Sequence, residues 1–98
     1  MMTVVVYDIS DDSVRRAVER KCKDYGLRHV QRSVFVGILS KPRRVELFYE
    51  LSRLMRGRDG AVRIYVLDKR LYSQTMRIGR VDGFDEDPEY GGDSLTIL

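Results

Sequence analysis

Residues 2–7, Met-Thr-Val-Val-Val-Tyr, are apolar at nearly every position, whichever parity is followed. Side chains alternate between the two faces of a strand, so apolar residues at both parities predict a strand buried on both faces, central in a sheet. The run ends at Asp8 and is followed by Ile9-Ser10-Asp11-Asp12. Beyond it the apolar spacing lengthens to the helical period at Val14, Ala17, Val18, Cys22 and Tyr25, with Ser10 or Asp11 as N-cap and Gly26 as stop. Residues 28–39 predict two short strands or one bent strand, with Gly37 as a bulge or bend. Ser40 and Pro42 open a second helix with Val45, Leu47, Phe48, Leu51, Leu54 and Met55 inward, closed by Gly57 and Gly60. Residues 61–67 read as a strand, 69–74 as a short turn or helix, and 75–79 as a last strand.

The order β-α-β-β-α-β predicts an α+β fold of ferredoxin-like type, an antiparallel sheet carrying both helices on one face. The third and fourth strands add a constraint. Val34, Val36 and Ile38 alternate with Phe35 and Leu39, while Val62, Ile64 and Val66 alternate with Tyr65 and Leu67. Two helices shield one face only, so the other needs a cover, and a second copy of the chain is the predicted one: a homodimer through the sheet face. Residues 1–80 make the single domain that 98 residues allow. Residues 81–98, rich in Asp, Glu and Gly, form a flexible acidic tail. Its end, Leu95-Thr96-Ile97-Leu98, fits an added strand at a sheet edge and equally fits a disordered terminus.

Charge separates along the same boundary. All eighteen Lys and Arg precede residue 81, against nine acids there, a surplus of nine; the last eighteen residues carry six acids and no base. Fourteen of the cations are Arg, whose planar guanidinium binds phosphate through two parallel hydrogen bonds. A polyanionic partner is favoured, although growth temperature or codon bias also produces Arg-rich surfaces. Cys22 stands alone at an apolar helix position, which excludes a disulfide framework or cysteine–zinc cluster and reads as a buried small hydrophobe. No apolar stretch reaches the length of a membrane span, so a soluble intracellular protein is expected.

Candidate chemistry is sparse. No Gly-rich phosphate loop, His/Cys metal spacing or nucleophile elbow occurs, and His29 is the only histidine. The acidic loop of Asp8, Ser10, Asp11 and Asp12 is the densest set of oxygen ligands near a strand end. Mg²⁺ or Mn²⁺ bridging carboxylate and phosphate would suit phosphodiester hydrolysis. One carboxylate holds such an ion poorly; Asp8 from both protomers near a dimer axis would supply two. The plainer reading makes Ser10, Asp11 and Asp12 caps of the first helix. Arg15 and Arg16 stand in that helix's first turns, where the dipole does not favour cations, and a phosphate path beside the acidic loop is one reason for them. Lys41, Arg43 and Arg44, and then Arg53, Arg56 and Arg58, give two more basic groups around the second helix.

The segments Tyr7-Asp8-Ile9-Ser10-Asp11-Asp12, Lys23-Asp24-Tyr25-Gly26-Leu27, Val30-Gln31-Arg32-Ser33-Val34-Phe35-Val36-Gly37, Val62-Arg63-Ile64-Tyr65 and Ile78-Gly79 together resemble the second of the two universal CRISPR-associated protein families. The resemblance spans residues 3–80. It implies a ferredoxin-like homodimer, cytoplasmic in a prokaryote, that acts in spacer acquisition by bridging dimers of the CRISPR integrase and holding duplex DNA. It further implies a metal-dependent endonuclease activity on RNA or DNA that varies among members, with Asp8 catalytic and metal-binding. Arg15 matches the family's first-helix arginine and Phe35 its core phenylalanine; Arg16, Arg28, Arg43 and Arg44 complete the candidate nucleic-acid contacts. Two departures stand out. His29 occupies a place where the family carries arginine, with Arg28 one position earlier, and Val36 replaces a frequent acid. A toxin-like ribonuclease of the virulence-associated protein D type shares the fold and opening strand and stands as the alternative.

Overall fold

A computed structural model describes residues 1–88 and the backbone of 96–97. The elements follow in the order β1 (Met2–Asp8), α1 (Asp12–Asp24), β2 (Arg28–Gln31), β3 (Val34–Ile38), α2 (Lys41–Met55), β4 (Ala61–Leu67), α3 (Lys69–Ser73), β5 (Arg77–Ile78) and β6 (Thr96–Ile97). The main sheet has the order β2-β3-β1-β4, with every neighbouring pair antiparallel. β1 and β2 run parallel with β3 between them, which is the split βαβ arrangement of a ferredoxin-like α+β fold.

β1 is central as its composition requires: Val4 pairs with Val36 on one side and Tyr65 on the other. Its odd positions Val5 and Tyr7 join Phe35, Leu39, Val14, Val18, Cys22, Leu47 and Leu51 in the main core beneath the two helices. Burying each such Leu or Val contributes about 1.5–3 kcal/mol. The helix termini follow their sequence signals. Asp11 accepts from the backbone N–H of Ser13 and Val14, and Ser40 accepts from that of Arg43 with Pro42 in the first turn.

Four expectations need correction. Gly37 is no bulge: it pairs regularly with Thr3, and the register shift falls in β2 between His29 and Gln31. Gly37 is glycine because a β-carbon there would lie 2.7 Å from Leu27 Cδ2 and 3.3 Å from Leu27 Cα. Val45 and Phe48 point outward, at 42% and 53% exposure, because α2 leans on α1 and leaves its outer flank open above β4. The last strand of the 75–79 segment is two residues rather than five, since within that segment Arg77 and Ile78 alone pair, with Thr96 and Ile97. Finally, the second sheet face is not left wholly to another chain: α3 folds onto it and buries Tyr72 with Met2 and Val36, half-covering Val4, Val30, Val34 and Leu67. Ile38 and Tyr65 on that face stay 45% and 46% exposed.

The acidic segment begins with fixed contacts. Asp85 donates its N–H to the His29 carbonyl and accepts the His29 N–H, closing the β2 edge. Arg28 donates to the Glu86 carbonyl, and Asp87 holds Arg77 at 3.0 Å and bonds Tyr72. β6 runs parallel to β5. Leu95 and Leu98, the other apolar residues of the expected terminal strand, lie outside the described residues.

Candidate functional site

Asp8 is the last residue of β1, and its position is set from two sides. Its ladder partner on β4 is Ala61, and Gly60 brings backbone so close that a β-carbon there would stand 2.6 Å from the Asp8 carbonyl oxygen. On the other side the Tyr7 N–H donates to the Ser33 carbonyl at 3.1 Å. That bond needs Ser33 in the left-handed conformation, with φ of 66°, at the tip of the β2–β3 hairpin. The end of β1, the hairpin tip and the start of α1 thereby converge.

Between them lies a polar cavity of about 600 Å³ with Asp8, Asp12, Arg15 and Glu19 on one side and His29, Arg32, Ser33 and Phe84 on the other. Asp8 is exposed to it. Asp12 is held at 2.8 Å by Arg15, and Asp11 is engaged by the α1 terminus, where the Val14 N–H and the Ser13 hydroxyl keep its carboxyl below the usual range. Asp11 and Asp12 therefore act as cap and ion-pair partner.

Glu19 and His29, which line the cavity, are joined behind it by the buried Tyr7. The Tyr7 hydroxyl donates to Glu19 Oε2 at 2.6 Å and lies 3.1 Å from His29 Nε2. A phenol has one proton, so His29 must donate through Nε2–H and carry its lone pair on Nδ1. Burial, with the adjacent Glu19 carboxylate, pushes the Tyr7 phenol far above its normal range. The His29 ring stacks on Phe35 with centroids 4.2 Å apart and receives the edge of Phe84 at 4.9 Å. Burial lowers its pKa, and Glu19 and Asp85 only partly oppose that effect.

Of the residues singled out from sequence, the structure brings together Asp8 and Arg15. Arg16 is exposed one position further along α1 and bonds the Asp12 carbonyl. Arg28 lies within β2, engaged with the acidic segment. Phe35 is fully buried, serving as the platform for His29. Arg43 and Arg44 are elsewhere: β3 ends where β1 begins, with Met2 opposite Ile38, so the α2 N-terminus stands at the far end of the sheet. There Arg43 pairs with Glu46 and covers the Tyr25 ring. Arg32, Glu19 and Gly60 escaped sequence reasoning. Arg32 and Ser33 were visible only as parts of the Gln-Arg-Ser-Val-Phe segment, and nothing in the composition linked Glu19 to Tyr7.

The chain matches a known family over most of its length. The model of "CRISPR associated protein Cas2" matches residues 1–75. The chain belongs to the Cas2 family. It is 50% identical over 72 residues to a CRISPR-associated endoribonuclease Cas2 of Desulforudis audaxviator, covering 72% of this chain and 68% of that one. It is 39% identical to one of Pyrobaculum aerophilum over 81% of this chain and 87% of the other. A crystal structure of Streptococcus pyogenes Cas2 at pH 6.5 superposes with a TM-score of 0.69 at 27% identity, covering 81% of this chain and all of that one. A CRISPR-associated endonuclease Cas1/endonuclease Cas2 fusion of Thermoproteus tenax matches 80% of this chain at 38% identity. This Cas2-family chain has no helix among its described residues long and apolar enough to cross a membrane.

A divalent ion is not fully served by one copy of this site. No group of three His, Cys, Asp or Glu able to hold a metal occurs among the described residues. Glu19 is committed to Tyr7 and Asp12 to Arg15, which leaves Asp8 as the available carboxylate. Mg²⁺ characteristically takes one or two carboxylates with waters and substrate phosphate, so a second Asp8 would complete a fitting donor set.

Proposed function

We propose that this chain is a CRISPR adaptation subunit that binds duplex nucleic acid, bridges integrase dimers as a homodimer, and hydrolyses phosphodiesters of RNA or DNA at Asp8. The observation that carries the reading is the exposed Asp8 carboxylate at the mouth of a cavity flanked by Arg15 and Arg32. Apolar Ile38 and Tyr65, exposed on the second sheet face, support a homodimer through that face. The fused Cas1/Cas2 relative supports an integrase partner.

In this reading Asp8 of both protomers would hold Mg²⁺ or Mn²⁺, which supplies positive charge to a phosphoryl oxygen and lowers the pKa of a bound water. The chain's own residues do the rest. Arg15 positions a backbone phosphate beside Asp8 while its ion pair with Asp12 orients the guanidinium. Gly60 and the hairpin fix the backbone from which the Asp8 carboxylate springs, so that its starting position is set before substrate arrives. Exposed Arg16, Arg28 and Arg43, with the half-buried Arg44, extend the basic surface without reading sequence.

Asp8→Ala should abolish Mg²⁺-dependent cleavage and leave duplex binding and integrase association close to wild type. Cleavage retained at the wild-type rate would remove Asp8 from the reaction. Sedimentation showing only monomer at micromolar concentration, with the fold intact, would remove the paired carboxylates.

A further inference from the structure

We propose that His29, Arg15 and Arg32 form a phosphate-binding subsite on the wall of the Asp8 cavity, and that proton uptake at His29 sets its affinity for nucleic acid. The inference rests on the nucleic-acid reading above and assigns one of its contacts a variable charge. All three residues line the same cavity. Arg15, from α1, and Arg32, from the β2–β3 turn, are permanent cations; the third group is a neutral imidazole whose Nε2 proton is directed to Tyr7, so a proton gained on acidification goes to Nδ1. Protonation raises the cation count around a bound phosphate from two to three.

The surroundings keep the unliganded ring neutral. Phe35 and Phe84 desolvate it, Lys23 repels a second charge, and Glu19 and Asp85 favour that charge without outweighing burial. A phosphate placed in the cavity adds an anion close to the ring and reverses the balance. Binding and proton uptake are then linked, each strengthening the other by the same factor.

The chain makes this measurable without ambiguity, because it contains a single histidine. The other groups facing the ring are the carboxylates of Glu19 and Asp85, Lys23, Arg15, Arg32 and the Tyr7 phenol, which burial shifts upward; histidine is the side-chain type whose ordinary pKa falls between about pH 5 and pH 8. The N-terminal amine precedes β1, at the end of the sheet away from Asp8.

The test uses the full chain with a short RNA duplex in EDTA, which separates binding from cleavage. Wild-type affinity should rise about fivefold to tenfold as pH falls across that window, the scale of one added charge contact near a surface, with the log–log salt slope steeper by about one unit at the acid end. H29Q should bind with little pH dependence, and H29R should hold the acid-side affinity throughout. On the wild type itself, the His29 ring-proton NMR titration should move to higher pH when the duplex is added, a change that a purely structural ring would not show. An unmoved His29 titration, or H29Q retaining the wild-type pH profile, overturns the inference while leaving duplex binding standing. Absence of duplex binding at every pH overturns the underlying reading as well.

Discussion

Gly60→Ala tests the seating of Asp8 directly. Gly60 adopts a φ of 115°, and a β-carbon there would lie 2.6 Å from the Asp8 carbonyl oxygen and 3.3 Å from the Ile9 Cα. Both neighbours are backbone, and Asp8 is tied into the β1–β4 ladder opposite Ala61, so neither can swing aside as a side chain would. Two costs combine: a conformation that L-residues rarely enter, about 1–3 kcal/mol, and overpacking against fixed atoms, about 1–3 kcal/mol. A total near 3 kcal/mol lowers the Tm of a domain this size by about 12–24 °C. Gly57→Ala is the matched control. Its φ is 70° with nothing within 4 Å of the added carbon, leaving the conformational cost alone, about 1 kcal/mol and about 4–8 °C. Thermal unfolding by circular dichroism should be run at equal protein concentration, since association shifts apparent stability. Equal losses in the two variants would refute the close approach of Gly60 to Asp8.

Two further outcomes follow from buried groups. Cys22 is fully buried and its thiol is pushed up to about 12 by burial beside Glu19, so iodoacetamide near neutral pH should leave the native chain unmodified and label it on unfolding; native-state labelling would contradict the core placement. His29 has a lowered pKa in the folded chain, so the unfolded chain binds more protons between that value and the ordinary value of about 6.5. Its contribution is fully present above about pH 6.5 and is lost as pH falls through the folded value. Denaturant midpoints in low salt should decline there for wild type and less for His29→Gln, and parallel declines would remove His29 as the source.

The fold was legible where local signals and burial agree. The two-sided apolar run marked β1 as central, and Asp11 and Ser40 capped helices at places fixed by spacing and Pro42. It was less legible where tertiary packing selects among equivalent local readings. Gly37 offered the conformational freedom of a bulge, yet its role is to admit Leu27, ten residues earlier along the chain, a contact that no spacing encodes. Val45 and Phe48 had helical periodicity for the core, but α2 supplies its buried stripe through Leu47 and Leu51, which sit where α1 and the sheet meet. A helix with apolar residues on more than one stripe does not announce which stripe wins.

The same distinction governs the site. Asp8 could be singled out because a carboxylate at the end of a buried strand is unusual in itself. The cavity could not, because β1, α1, the β2–β3 hairpin and residue 84 each contribute one wall, and the residues that matter to one another stand at 7, 19, 29 and 84. The register of β2 is decisive here. His29 lies opposite Phe35, and the shift that follows before Gln31 lets the hairpin return to Tyr7 through Ser33. An arginine at 29 would carry its charge at every pH; the histidine that stands there is held between Phe35, Phe84 and Tyr7, and burial of its ring favours the neutral form. At position 29 the packing around the ring, by burying it, decides how readily a charge forms there.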